Sequence, residues 1–195
     1  GERYRLIRRI GQGGTAEVYE AEVVRPGFTR RVAVKRLLAE HLGDPEAALA
    51  FADEARVISQ LQHPGIISIL DFGVLDGAPF QVLELVDGRG LDAVLADRGR
   101  LPVGEAVAIG FQLADALGFA HDLGVVHRDI KPSNVLVQDD GLSKLVDFGL
   151  AAVEGWEVTS AGRVFGSPSY MAPERIRGSP GGPASDQFSL GVVLY

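Results

Sequence analysis

The chain has 195 residues, 46% of them hydrophobic, with no cysteine and a formal net charge of -7. That apolar content excludes a disordered tail and suffices for a substantial core in one or two domains. The negative charge excludes broad electrostatic binding to nucleic acid or anionic membranes, and the missing thiols exclude a disulfide framework and a thiolate metal site, which fits a reducing cytoplasm.

From Tyr4 to about Glu84 the pattern is one of short alternating runs, Tyr19 to Val24 and Arg31 to Leu37, with one helix between Pro45 and Gln62. This reads as a small sheet with a single helix. Near its start, Gly11-Gln12-Gly13-Gly14-Thr15-Ala16-Glu17-Val18 is a glycine-rich turn whose backbone can approach a phosphate and aim N–H groups at it. A dinucleotide-binding loop opens a helix, whereas Val18 to Val23 continues here as a strand. The turn therefore reads as the bend of a β-hairpin over a nucleotide, and on these residues alone a purely structural hairpin is an equal alternative. In Val32-Ala33-Val34-Lys35, alternation puts Ala33 and Lys35 on one strand face, where a small apolar surface and an ammonium can meet the base and phosphates of one ligand. An isolated strand lysine is more often solvated. Phe51, Glu54, Ile58 and Leu61 share one side of the following helix. A carboxylate on a core-facing stripe needs a partner. Lys35 is the natural one, and a helix-edge glutamate in water is the alternative.

Leu85-Val86-Asp87-Gly88 reads as a short connection, with Gly88 and Gly90 permitting a hinge. Beyond Leu91 helical periodicity takes over, and Val103, Val107, Phe111, Ala114 and Leu117 fall on one helix face of a mainly helical domain. No stretch approaches the roughly 18 uninterrupted apolar residues of a membrane span, and no signal peptide is read at Gly1. His63 and His121 read as packing or hydrogen-bonded histidines. The run His127-Arg128-Asp129-Ile130-Lys131-Pro132-Ser133-Asn134 is followed by Asp147-Phe148-Gly149, and Asp139-Asp140-Gly141 is a hairpin signal between Val135 to Val137 and Leu142 to Val146. That hairpin brings Asn134 and Asp147 to the same end of a small ribbon, an oxygen-rich pair of the kind Mg²⁺ takes.

Taken in order, these elements resemble the protein-kinase family over essentially the whole chain, and among its members the eukaryotic-like serine/threonine kinases of bacteria. The resemblance implies an α+β, bilobal fold: a small antiparallel β-sheet lobe with one helix over residues 1–86, and a mainly helical lobe over residues 87–195. It implies ATP and Mg²⁺ as cofactors, with Lys35 on the α- and β-phosphates and fixed by Glu54. Asp129 is expected to orient the substrate hydroxyl and accept its proton, and Asn134 and Asp147 to hold the metal. The nucleotide is expected against Ile10, Gly11, Gln12, Gly13, Gly14, Thr15, Ala16, Val18, Ala33, Leu83, Glu84, Val86 and Leu136. Lys131, two residues after Asp129, implies a Ser or Thr acceptor. The run from Gly166 through Ala172-Pro173-Glu174 implies a protein substrate. His127 resembles the family's structural histidine beneath Phe148, and Asp186 the brace of its catalytic loop. Arg128, a cation beside the catalytic aspartate, implies a phosphate on Thr159 or Ser160, placed by autophosphorylation between copies; ordinary loop hydroxyls are the alternative. Trp156 has no functional reading.

Two departures are small: Ala16 stands for the third glycine of the loop and Ser167 for a usual threonine. The larger one is the end at Tyr195, inside the helix that carries Asp186. The resemblance implies about 70 further residues of helix, with an arginine partner for Glu174, so a fragment of a longer protein is expected and any membrane anchor would lie outside it. A catalytically impaired kinase-fold binding or scaffold module is therefore the alternative function, against which the presence of Lys35, Asp129 and Asp147 counts. A small-molecule phosphotransferase of related fold is a third, opposed by Lys131 and the segment from Ser167 to Glu174.

Overall fold

A computed structural model describes residues 4–25, 27–148 and 168–195. The expectations placed on Gly149, Trp156, Thr159, Ser160, Gly166 and Ser167 lie outside the described residues. The chain divides into two compact units, one of Gly1–Gln60 with Ser68–Leu85 and one of Leu61–Ile67 with Val86–Tyr195.

The first unit is a five-stranded antiparallel sheet with a helix on one face. Its strands are β1 (Tyr4–Gln12), β2 (Ala16–Arg25), β3 (Phe28–Leu37), β4 (Ile69–Leu75) and β5 (Ala78–Glu84), in the order β1-β2-β3-β5-β4. Asp76 and Gly77, at φ 51° and 81°, supply the two left-handed residues that a tight β4–β5 turn requires. Alternation sends Ala21, Val23, Val32, Val34 and Val82 to one face, where Tyr4 and Phe80 pack on them. Gly73 faces Phe80 across β4 and β5, and a Cβ there would stand 2.6 Å from the Phe80 ring. On the other face Ala16 and Leu37 meet Phe51 of α1 (Pro45–Ile58). Asp44 caps that helix by accepting the Glu46 N–H at 2.9 Å, with Pro45 at the first helical position. The helix stops at Ile58, short of the expected Gln62, where Ser59 closes it by donating its N–H back to the Ala55 and Val57 carbonyls.

The second unit holds a three-stranded ribbon, β6 (Gly88–Gly90), β7 (Val135–Gln138) and β8 (Ser143–Leu145), with helices α2 (Leu91–Arg98), α3 (Val103–Asp122), α4 (Pro173–Ile176) and α5 (Pro183–Leu194). Leu145 accepts from the Ile67 N–H at 2.9 Å and donates to Gly65 at 2.8 Å, which ties the segment Leu61–Ile67 to β8. The β7–β8 hairpin turns where Asp139-Asp140-Gly141 predicts it, with Gly141 at φ 84° and Asp140 accepting the Leu142 N–H.

One helix faces the other way from the sequence reading. α3 forms as expected, but Val103, Val107 and Phe111 are 80%, 63% and 74% exposed, and only Leu117 of the expected stripe is buried. The buried side is Ile109, Leu113, Ala116, Leu117 and Ala120, packed toward β8 and α5. Apolar residues surround much of this helix, so periodicity alone offered two stripes and the packing took the other. The same composition makes α3, among the described residues, long and apolar enough to cross a membrane, although Glu105, Gln112 and Asp115 interrupt it. Truncating fully buried Leu113 to alanine is expected to lower unfolding stability by about 2–5 kcal/mol in urea titration, and Asp44→Ala, which removes the cap of α1, by about 1 kcal/mol.

Candidate active site

In the first unit, β3 and β5 place Lys35 and Gln81 as register partners, and α1 presents Glu54 to both. Lys35 Nζ donates to Glu54 Oε1 at 2.8 Å and to Oε2 at 3.0 Å. Lys35 and Glu54 are only 8% and 4% exposed. In such a setting the attraction mainly offsets desolvation, and removing one partner strands a charge at a cost of about 3–5 kcal/mol. Ala33 is buried two residues before Lys35 and pairs with buried Leu83 across β3 and β5. The glycine-rich turn is the β1–β2 hairpin, closed by Gly13 N–H donating to Ala16 at 2.8 Å. Ile10, Gln12, Gly13, Gly14 and Thr15 are exposed, Gly11 and Val18 half-buried, and Ala16 buried. Glu84 donates its N–H to the Ser68 carbonyl at 3.0 Å, and its Oε1 accepts the Ser68 N–H at 2.9 Å.

The sequence reading did not single out Gln81. Its signal was parity: in Ala78-Pro79-Phe80-Gln81-Val82-Leu83, position 81 shares the face of 83 and pairs with Lys35, so an amide there had to be buried beside the ammonium.

The second unit carries the other constellation. Asp129 Oδ2 accepts from Lys131 Nζ at 2.6 Å and from Asn134 Nδ2 at 3.1 Å, and the same Nδ2 donates to the Asp129 carbonyl at 2.8 Å. Both bonds of Asn134 use its nitrogen, so its oxygen is the atom suited to a cation. Asn134 is buried just before β7, Asp147 is exposed just after β8, and Val146 N–H donates to the Asn134 carbonyl at 3.0 Å, so both sit at the open end of the hairpin. Asp147 and Arg128 have φ of 61° and 67°, a conformation non-glycine residues take only under constraint. Asp186 of α5 accepts the backbone N–H groups of His127 at 2.8 Å and Arg128 at 2.7 Å, and also His121 Nε2 at 2.8 Å. His127 lies against Phe148, ring centroids 4.4 Å apart. His63 stacks on Phe119 at 5.2 Å and accepts the Gly65 N–H. Leu136 of β7 and Val86 are half-buried in this unit. Among the described residues no group of three or more His, Asp or Glu could hold a metal, so one here would rest on Asn134 and Asp147. Two oxygen donors suffice for Mg²⁺, which completes its shell with phosphate and water.

Glu174, the second residue of α4, accepts from Ser185 Oγ at 2.6 Å, and Ser185 Oγ also receives the Gly182 N–H at 3.2 Å. Ser185 is the third residue of α5, a position from which a side chain can reach back to the helix start, and that offset was its signal in the sequence.

The protein kinase domain family model matches residues 4–195. Serine/threonine-protein kinase PknA of Mycobacterium tuberculosis is 46% identical over 99% of this chain and 46% of its own length. PknL of the same species is 38% identical over 99% of this chain and 48% of its own length. A probable serine/threonine-protein kinase of Clostridium perfringens is 37% identical over 100% of this chain and 28% of its own length. The chain belongs to the protein kinase family, in its bacterial, eukaryotic-like branch. It spans about half or less of the length of these curated relatives.

The Ser185 hydroxyl, then its own backbone N–H and the Arg177 charge, hold the Glu174 carboxyl below its ordinary value of 4.5 against an opposing effect of burial. A depressed carboxyl stabilises the fold above its unfolded pKa, and that contribution is lost as pH falls through the folded one. Carboxyl NMR titration is expected to show the Glu174 pKa rising toward its ordinary value in Ser185→Ala.

Proposed function

We propose that this chain is the catalytic domain of an ATP- and Mg²⁺-dependent serine/threonine protein kinase. The observation that supports it most directly is the Asp129 carboxylate, held by Lys131 and Asn134 in a loop fixed from below by Asp186. Asp129 orients the acceptor hydroxyl of a Ser or Thr and takes its proton as the hydroxyl oxygen bonds to the γ-phosphorus. The bond from that phosphorus to its bridging oxygen breaks, and ADP leaves with the electron pair. Lys131 offsets charge on the moving phosphoryl group, and Lys35, kept in place by Glu54, holds the α- and β-phosphates. Asn134 and Asp147 would hold Mg²⁺, which supplies neutralisation of the phosphate charge. This chemistry needs positioning and charge compensation more than covalent steps, which is what the two constellations provide.

The remaining roles belong to the same reading. The turn from Gly11 to Ala16 covers the phosphates; Ile10, Val18, Ala33, Leu83 and Leu136 meet the base, with the backbone of Glu84 and Val86 at its polar edge. Thr159 or Ser160 is the acceptor in autophosphorylation between copies, and its phosphate would pair with Arg128. The substrates are proteins, and consumption of ATP puts the domain in the cytoplasm.

Incubating the full-length gene product with radiolabelled Mg-ATP is expected to place phosphate on Thr159 or Ser160 and on a generic Ser/Thr protein acceptor. Asp129→Asn is expected to lower kcat by about a hundred- to ten-thousand-fold, the usual reach of a general base, and Lys35→Met to abolish transfer. Equal incorporation by Asp129→Asn, or none by the unaltered protein, would sink the kinase reading. Full activity in the Thr159→Ala/Ser160→Ala double variant would sink the switch alone.

A further inference from the structure

Gln81 of β5 is fully buried, at 0% exposure. Its Nε2 donates to Glu54 Oε2 at 3.2 Å and to the Phe51 carbonyl at 3.0 Å, both on α1. A carboxylate and a carbonyl can only accept, so the nitrogen must face them and the amide has one orientation. Its oxygen Oε1 is then buried with no hydrogen-bond partner. An orphaned acceptor destabilises the fold, and an apolar side chain of similar size would fill the same space without one. What the amide supplies in return is a second hold on α1. Lys35 and Gln81 are partners across β3 and β5, so their side chains leave the same face together, and Glu54 is gripped from two adjacent strands.

We propose that Gln81 is a positioning residue for Lys35: its amide ties Glu54 and the middle of α1 to the sheet, and so fixes where the lysine ammonium stands before nucleotide arrives. A single carboxylate–ammonium contact allows the helix to pivot about it. Two bonds from Gln81, one to the side chain and one to the backbone a turn earlier, remove that freedom. The consequence for the reaction rests on the reading of Lys35 as the phosphate-holding residue; the consequence for α1 does not.

The test uses the full-length protein and two variants, Gln81→Met and Gln81→Glu. Gln81→Met keeps the volume, removes both bonds and removes the orphan. Hydrogen–deuterium exchange of the α1 amides is expected to speed up at least about tenfold, the scale of one lost hydrogen bond to a charged group. The kcat/KM for Mg-ATP is expected to fall by a similar factor, chiefly through KM. In Gln81→Glu the introduced carboxyl faces Lys35 from β3 and Glu54 from α1; protonated it has one O–H and can restore one of the two bonds, and ionised it has no donor and repels Glu54. The α1 exchange rate of this variant relative to the unaltered protein is therefore expected to fall as pH is lowered. Unaltered α1 exchange in Gln81→Met would overturn the proposal, and should that variant not fold, a pH-independent exchange ratio in Gln81→Glu would do the same. An unaltered protein that transfers no phosphate, with α1 exchange raised in Gln81→Met, would remove the kinase reading and leave the positioning role of Gln81 standing.

Discussion

The loop from His127 to Asn134 depends on one buried carboxylate. The backbone N–H groups of His127 and Arg128 belong to no strand or helix, and a buried donor left unmet costs about 1–3 kcal/mol. Asp186, 1% exposed, accepts both from α5. With those donors satisfied the chain can hold Arg128 at φ 67°, and this reversal lets the two residues flanking it serve opposite ends: His127 is fully buried, while Asp129 keeps part of its surface in solvent. Nothing in the loop's own composition favours that backbone. It is imposed by a residue 58 positions away in sequence.

The first unit meets a different problem by a different means. Its polar group is an ammonium on a strand, buried beneath a helix, and it can be stabilised only by opposite charge and further hydrogen bonds. Glu54 provides the charge, and Gln81 donates to Glu54 and to the Phe51 carbonyl, so the position of α1 is defined by polar contacts as well as by Phe51 on Ala16 and Leu37. Apolar packing alone would let a helix slide on a sheet, whereas directional bonds to a carboxylate fix one register.

Much of this was legible in the residues because local rules carry it. Glycine spacing and the strand that follows placed the β1–β2 hairpin, the alternation around Lys35 set its face, and Asp139-Asp140-Gly141 set the ribbon that presents Asn134 and Asp147. The misread features are those where local pattern is degenerate. α3 offers an apolar stripe on either side, and only tertiary neighbours decide that Leu113, and not Phe111, turns inward. α1 is shorter than its periodicity because its last turn closes at Ser59, although the apolar spacing runs on to Leu61. Gln81 and Ser185 escaped notice because each looks ordinary until its partner, Glu54 or Glu174, is brought in from another element.

The second unit's polar contacts form a closed circuit. Asp186 holds the His127 backbone; His127 Nε2 donates to the Val146 carbonyl at 3.1 Å; Val146 N–H donates to Asn134; Asn134 donates to Asp129; and Asp129 N–H returns to His127 Nδ1 at 3.3 Å. A carbonyl only accepts, so His127 Nε2 is the donor to Val146 and Nδ1 the acceptor from Asp129. Each member is thus held by its neighbours in the ring, with Asp186 and Lys131 as supports from outside it, and the positive φ angles at Arg128 and Asp147 lie on or beside the circuit. Loss of any one link loosens the rest, so the energetic effects of substitutions at His127, Asn134 and Asp186 cannot be independent: once one link is broken, breaking a second removes less than it would alone. The geometry of Asp129 is in this sense a property of the ring, and Asp186 bears on it through the His127 backbone without a bond to Asp129 itself.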